Sequence, residues 1–277
     1  MPEPRNDSPP PLHGGPAQPI HSAWRASKPA RNAWMTIPDP YLAEFVAARA
    51  EVEAVTLDLQ HGLFDTRGAV ECIRAIELRG KAPLVRLPGH DPALIGFLLD
   101  AGVAGLIAPM VETTAEAEQL VAACQYPPKG RRSHGPTRAG LGRGGDAFAL
   151  VEQQVLFAMI ETARALGTCE QIAAVEGLDG LFVGPGDLGI SLGIGPGQDR
   201  EEPEITAALA RVAKVCKAVG KRCAVHAGSA QYAAKVADQG YDLVTVWVDV
   251  VAIGASLTDA KAQWTGHAPS PESRRET

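Results

Sequence analysis

Short apolar runs recur along the chain at nearly regular intervals. Each is followed by a longer stretch in which apolar residues return every three or four positions. The runs predict strands at 33–37, 54–57, 83–86, 105–108, 155–160, 180–183, 222–225 and 243–247. The helical stretches between them begin near Pro40, Thr66, Pro92, Thr114, Thr162, Pro203, Ser229 and Val250. Asp39-Pro40 and Asp91-Pro92 each place a capping carboxylate before a proline whose missing N–H is not needed in a first turn. Gly80, Gly102, Gly220 and Gly240 fall where helices should end. Strands apolar on both faces, alternating with helices, predict a parallel sheet covered on both sides. Eight such units predict an α/β fold of the closed (β/α)8 TIM-barrel type, with an open doubly wound sheet as the structural alternative.

Residues 1–27 are rich in Pro, Gly and polar side chains and predict a disordered N-terminal tail. The barrel is expected over 28–264 as one catalytic domain, with a second disordered tail at 265–277. The 277 residues suit a single barrel, which commonly needs about 250. Net charge is −6 with no long run of one sign, which argues against nucleic acid as a partner. No apolar stretch approaches the roughly 20 residues that cross a bilayer, so no membrane association is expected. The cysteines Cys72, Cys124, Cys169, Cys216 and Cys223 form no C-x-x-C pair. They predict buried structural thiols in a reducing cytoplasm. One sizeable loop, 125–145, carries Arg131, Arg132 and Arg138.

Barrels of this kind place chemistry at the C-terminal ends of their strands. Those positions hold Asp58 and His61, Arg86, Pro109 and Met110, Glu161, Asp187, His226 and Asp249. Glu161 and Asp187 can offer hard oxygen ligands to Mg²⁺ or Mn²⁺, or they are a helix cap and the start of a turn. His61 can act as base or proton shuttle with Asp58 holding its tautomer, or it is a surface residue. Arg86 can stabilise a developing enolate oxygen, or it forms an ion pair within the barrel. The stretch Gly184 to Gly189 matches G-x-G-x-x-G, but Asp187 would set a negative charge against a pyrophosphate and the segment follows the sixth strand. Glycine at 186 instead suits close approach of the backbone to a small ligand. None of the eight lysines closes a predicted strand, which excludes a Schiff-base mechanism and leaves an enolate dependent on a metal.

The motifs Asp58-Leu-Gln-His61-Gly, Leu84-Val-Arg86, Ala108-Pro-Met-Val, Tyr126-Pro-Pro-x-Gly130-x-Arg132-Ser, Ile160-Glu161-Thr162 and Gly184-Pro-Gly-Asp187-Leu occur in order between Ala33 and Ala262. Together the chain resembles the HpcH/HpaI aldolase family, class II pyruvate aldolases. The resemblance implies a homohexamer of barrels that exchange their last helix between subunits. It implies a divalent ion (Mg²⁺, Mn²⁺ or Co²⁺) on Glu161 and Asp187, chelated by the carboxylate and keto oxygens of pyruvate. His61, paired with Asp58, would manage protons, and Arg86 would polarise the keto oxygen. Gly186, Asp187, Arg86 and Met159 would line the substrate, and Asp100 would reach a neighbouring subunit's site. The implied reaction is reversible cleavage of a 4-hydroxy-2-oxo acid to pyruvate and an aldehyde through an enolate.

The chain departs from the family pattern at Met159, where glutamine is common, at Gly186, where alanine is common, and at Leu59-Gln60, where Gly-Glu is common. These changes bear on the acceptor and on the metal's surroundings, not on the proposed ligands. Two other functions stay open: a CoA-thioester lyase of the citrate lyase β type, using the arginines of 125–145 as a basic groove, and a non-catalytic barrel subunit.

Overall fold

Eight parallel strands pair in chain order and close on themselves. The computed structural model describes residues 15–141 and 147–265. The strands are β1 (Ala30–Met35), β2 (Ala54–Asp58), β3 (Ala82–Arg86), β4 (Gly105–Ala108), β5 (Val155–Ile160), β6 (Gly180–Val183), β7 (Arg222–Val225) and β8 (Leu243–Val248). Preceding β1 is α1 (Gln18–Arg25); then come α2 (Pro40–Arg49), α3 (Thr66–Leu78), α4 (Pro92–Asp100), α5 (Thr114–Cys124) and α6 (Ala147–Glu152). After β5 follow α7 (Ala163–Gly167), α8 (Cys169–Ala173), α9 (Pro185–Ser191), α10 (Pro203–Ala218), α11 (Ala230–Asp238) and α12 (Asp249–Thr265).

Local chemistry explains the boundaries. Asp39 accepts from the Leu42 N–H at 2.6 Å and Asp91 from the Ala93 N–H at 3.0 Å, so both aspartates cap the helices that their prolines open. Gly80, Gly102, Gly220 and Gly240 all adopt positive φ at helix ends. β1 starts three residues earlier than its apolar run because its inward polar side chain is satisfied. Asn32 donates to Thr245 Oγ1 at 3.4 Å and accepts from Thr56 Oγ1 at 3.0 Å.

Inside the barrel, Trp34, Leu84, Ile107, Phe157, Met159 and Phe182 form one cluster. The outward strand faces pack with the helices into a larger one. The expected tail over 1–27 is corrected from Gly15 onward; residues 1–14 lie outside the described residues. Helix α1 buries Ile20 and Trp24 in the interior cluster, and Trp24 Nε1 donates to the Asp242 carbonyl at 2.8 Å. This helix stops the barrel at the N-terminal ends of its strands. Two large apolar residues at i and i+4 suffice for so short a plug, which is why no apolar run announced it.

Asp249 is buried where β8 hands over to α12. Its carboxylate accepts from the Thr36 and Ile37 N–H groups at 2.7 and 2.8 Å, from Thr36 Oγ1 at 2.9 Å and from the Val250 N–H at 2.7 Å. A carboxylate with four donors is fully satisfied as the seam between β8 and β1. Beyond its first turn α12 leaves the barrel, and Val251, Leu257 and Trp264 are exposed. The seat that an eighth barrel helix would fill, between α11 and α2, is an apolar groove of about 860 Å³ lined by Leu42, Phe45, Ala233, Val246, Trp247 and Ile253.

The described part of the 125–145 loop, through Leu141, is tied to the barrel by its arginines. Arg132 donates to Asp100 Oδ1 at 2.7 Å and lies over the Tyr126 ring at 4.8 Å. Arg138 pairs with Glu77 and donates to the Ala101 carbonyl at 2.6 Å. Residues 142–145 lie outside the described residues.

Candidate active site

The C-terminal mouth of the barrel gathers Asp58, Arg86, Glu161, Asp187 and His226, with Trp34 as its floor. Asp58 and Arg86 are the last residues of paired strands and stand in register. Arg86 Nε donates to Asp58 Oδ1 at 2.9 Å and its Nη2 donates to Asp58 Oδ2. Trp34 Nε1 also donates to Asp58 Oδ2 at 3.2 Å, and the guanidinium lies 5.0 Å from the Trp34 ring centroid. Burial raises the Asp58 pKa, but the hydrogen bonds and charge of Arg86 outweigh it and hold the carboxyl below its ordinary value. The expected pairing of Asp58 with the His61 ring is therefore corrected. Asp58 Oδ1 accepts from the Gln60 and His61 backbone N–H groups at 3.0 and 3.1 Å, so it shapes the turn and not the imidazole. A fixed guanidinium on the adjacent strand captured the side-chain oxygens first.

His61 is exposed, and its imidazole makes no hydrogen bond among the described residues. Its turn needs Gly62, where an added Cβ would stand 2.2 Å from the Asp58 carbonyl oxygen.

Glu161 follows β5 and is 1% exposed. Oε1 accepts from the Met110 N–H at 2.6 Å, while Oε2 is buried with no hydrogen-bond partner. Met110 donates from a left-handed conformation, φ 54°, which a non-glycine residue adopts only under constraint. Burial above all, with Asp187's charge adding to it, pushes the Glu161 pKa up to about 7. Asp187 sits exposed in the first turn of α9, close enough to act on Glu161 electrostatically.

Two neighbouring carboxylates, one with an orphaned buried oxygen, form a donor set that a hard divalent cation would complete. No group of three or more metal-binding side chains occurs among the described residues, so water and substrate would supply the remaining ligands.

Gly186 was expected to let the backbone approach a small ligand; within the chain itself the steric demand for glycine falls at Gly184. A Cβ at 184 would meet Glu161 Oε2 at 2.7 Å and Met159 Cε at 3.0 Å, whereas one at 186 finds nothing nearer than 3.8 Å. Gly184→Ala is therefore expected to displace Glu161 and lower kcat about a hundredfold, with Gly186→Ala near the parent. Steady-state rates of the two variants check this. Met159 is buried beneath Gly184 in the interior cluster. Asp100 lies in α4, paired with Arg132, and among the described residues makes no hydrogen bond or ion pair with a mouth residue.

Two mouth residues lacked an assigned role in the sequence: Trp34, hidden inside an apolar run, and His226, a single polar residue closing β7. The Trp34 and His226 rings meet edge to face, 4.6 Å between centroids.

Comparisons with known proteins come down on one family. The profile of the HpcH/HpaI aldolase/citrate lyase family matches residues 33–253. A hydroxypyruvate/pyruvate aldolase of Rhizorhabdus wittichii is 40% identical over 248 residues, 88% of this chain and 98% of that protein. A pyruvate aldolase of Rhizobium etli is 37% identical over 229 residues, 82% of this chain and 89% of that protein. The crystal structure of an HpcH/HpaI aldolase/citrate lyase family protein from Burkholderia cenocepacia superposes with a TM-score of 0.82 at 29% identity, covering 90% of this chain and 99% of that one.

Proposed function

The chain belongs to the HpcH/HpaI aldolase/citrate lyase family, and from that premise we propose that it is a divalent-metal-dependent aldolase. It reversibly cleaves a 4-hydroxy-2-oxo acid to a pyruvate-type acid and an aldehyde. The observation that carries this reading is the orphaned, buried Oε2 of Glu161 at the barrel mouth, beside Asp187 and opposite Arg86.

Glu161 and Asp187 would hold the cation. When bound there, it would supply Lewis-acid stabilisation of the negative charge that develops on the donor's keto oxygen. Arg86 adds a second positive charge to the same oxygen. Two of its nitrogens are committed to Asp58, and Nη1 is left to donate to substrate. Asp58 and Trp34 keep the guanidinium in place. His61, in contact with solvent, carries the proton between water and the oxygen that alternates between hydroxyl and aldehyde. Met159 and Phe182 close the floor to water.

Two of the three arginines that the CoA-thioester reading would need for a basic groove, Arg132 and Arg138, are spent on Asp100 and Glu77, which disfavours that reading. The subunits are proposed to form a hexamer with α12 exchanged into the α11–α2 groove. Asp100 would then serve a neighbouring site, beside the hollow lined by Phe97 and Arg131. The buried free cysteines fit a reducing cytoplasm, and no helix among the described residues is long and apolar enough to cross a membrane.

Cleavage of a 4-hydroxy-2-oxo acid, followed by pyruvate release with and without EDTA, tests the proposal. EDTA is expected to abolish turnover and Mg²⁺ or Mn²⁺ to restore it. Chelation-resistant turnover would overturn the metal's role.

A further inference from the structure

One peptide group joins the end of β4 to the carboxylate of Glu161. Its N–H, that of Met110, donates to Glu161 Oε1 at 2.6 Å. Its carbonyl, that of Pro109, meets His90 Nε2 at 2.6 Å. A carbonyl only accepts, so this ring nitrogen carries the proton and donates. The two bonds sit on opposite poles of one planar group, and neither can shift without turning the other.

Strand pairing explains why a side chain is needed there. β3 and β4 run parallel, and the Leu87 N–H still donates to the Ile107 carbonyl at 2.9 Å. A continuing ladder would next offer the N–H of residue 89 to the Pro109 carbonyl, two residues further along. The chain instead turns into α4, where Asp91 caps the helix by accepting from the Ala93 N–H. The His90 ring supplies the donor that the backbone has withdrawn. Pro109 is buried and His90 half-buried, so little water competes for this carbonyl.

The peptide needs such an anchor because Met110 is left-handed, at φ 54°. Further along, the Glu116 carboxylate accepts from the Glu112 and Thr113 N–H groups at 2.8 and 2.9 Å. Thr162 Oγ1 donates to Glu112 Oε1 at 2.8 Å. Those ties fix residues 112 and 113 but not the plane of the 109–110 peptide, which His90 fixes. A hydrogen bond at the carbonyl also polarises the group and strengthens its N–H as a donor.

We propose that His90 is a positioning residue for the metal carboxylate, acting through the Pro109–Met110 peptide to hold Glu161 Oε1 and leave Oε2 for the cation. His90 itself touches neither cation nor substrate. This rests on the metal-dependent aldolase reading of the mouth, and binding and turnover are read separately to keep the two apart.

The first readout is calorimetric binding of Mn²⁺ to the full-length protein. The second is kcat and KM for cleavage of a 4-hydroxy-2-oxo acid at saturating Mn²⁺. His90→Phe is expected to weaken Mn²⁺ binding about tenfold and to lower kcat about tenfold, with KM within about twofold of the parent. His90→Asn, polar but too short to reach the carbonyl, should do the same. His90→Gln, whose amide N–H falls about where Nε2 does, should recover most of both losses. Parental Mn²⁺ binding in His90→Phe and His90→Asn, or equal loss in all three variants, would overturn the proposal. Binding weakened by His90→Phe and restored by His90→Gln, in a protein that cleaves no oxo acid, would uphold His90 and overturn the aldolase. A parent that binds no Mn²⁺ would overturn both.

Discussion

Glu161→Gln is expected to reduce turnover by on the order of a thousandfold and, in EDTA at pH 8, to melt above the parent. Both effects have one origin. Removing a preorganised group that supports charge in a transition state commonly costs about a hundredfold to a thousandfold in kcat, and here it would also remove a metal ligand. The stability gain follows from the buried charge. Glu161 titrates near its ordinary 4.5 when unfolded and at about 7 when folded. The native state therefore holds the proton more tightly, and stability falls as pH rises through that window and levels off above it. At about 1.4 kcal/mol per pH unit, the charged form costs the metal-free protein about 3 kcal/mol at pH 8. Glutamine stays neutral, keeps an oxygen for the Met110 N–H and lacks this slope, so parent and variant should converge near pH 4.5. Mg²⁺ should raise the parent's Tm increasingly above pH 7 and leave the variant unmoved. Parallel stability curves from pH 5 to 8, or a variant with most of its activity, would refute the assignment of Glu161.

What could be read beforehand depended on whether the determining contact was local. The eight strands were legible because a buried parallel strand is apolar on both faces, and the capped prolines and terminal glycines marked helix ends by their own backbone chemistry. Helix α1 was not, since only Ile20 and Trp24 carry its packing and their partners lie across the barrel. The same distinction runs through the site. Strand-end positions brought Asp58, Arg86, Glu161, Asp187 and His226 to one mouth. Which side chain Asp58 would pair with depended on the strand register, and Arg86 reached it where His61 did not. The demand for glycine at 184 depended on a Glu161 oxygen at the end of the neighbouring strand. Such contacts have no signature in spacing.

Ending the chain after Gly254 is expected to convert the protein from an oligomer to a monomer and to cost most of its activity. The cut spares Asp249 and the seam it closes, so the barrel itself should still fold. It removes most of a 17-residue helix, about 25 Å long, that carries exposed Leu257 and Trp264 away from its own barrel. The groove between α11 and α2, with Phe45 half exposed at its rim, is where a barrel's eighth helix belongs. A helix leaving its barrel beside an apolar seat of its own kind fits exchange with a second copy, which buries both surfaces through one repeated contact. Full burial of a large apolar side chain is worth about 1.5–3 kcal/mol, and the repeated contact doubles each gain. Single charges should therefore act strongly: Phe45→Glu in the groove and Leu257→Glu on the helix should each dissociate the assembly, while Ser256→Glu, on the same helix but not apolar, should not. Sedimentation velocity reads the four variants against the parent. A truncated chain that still sediments as the parent does would rule out exchange of α12, and a monomeric parent would rule out the assembly.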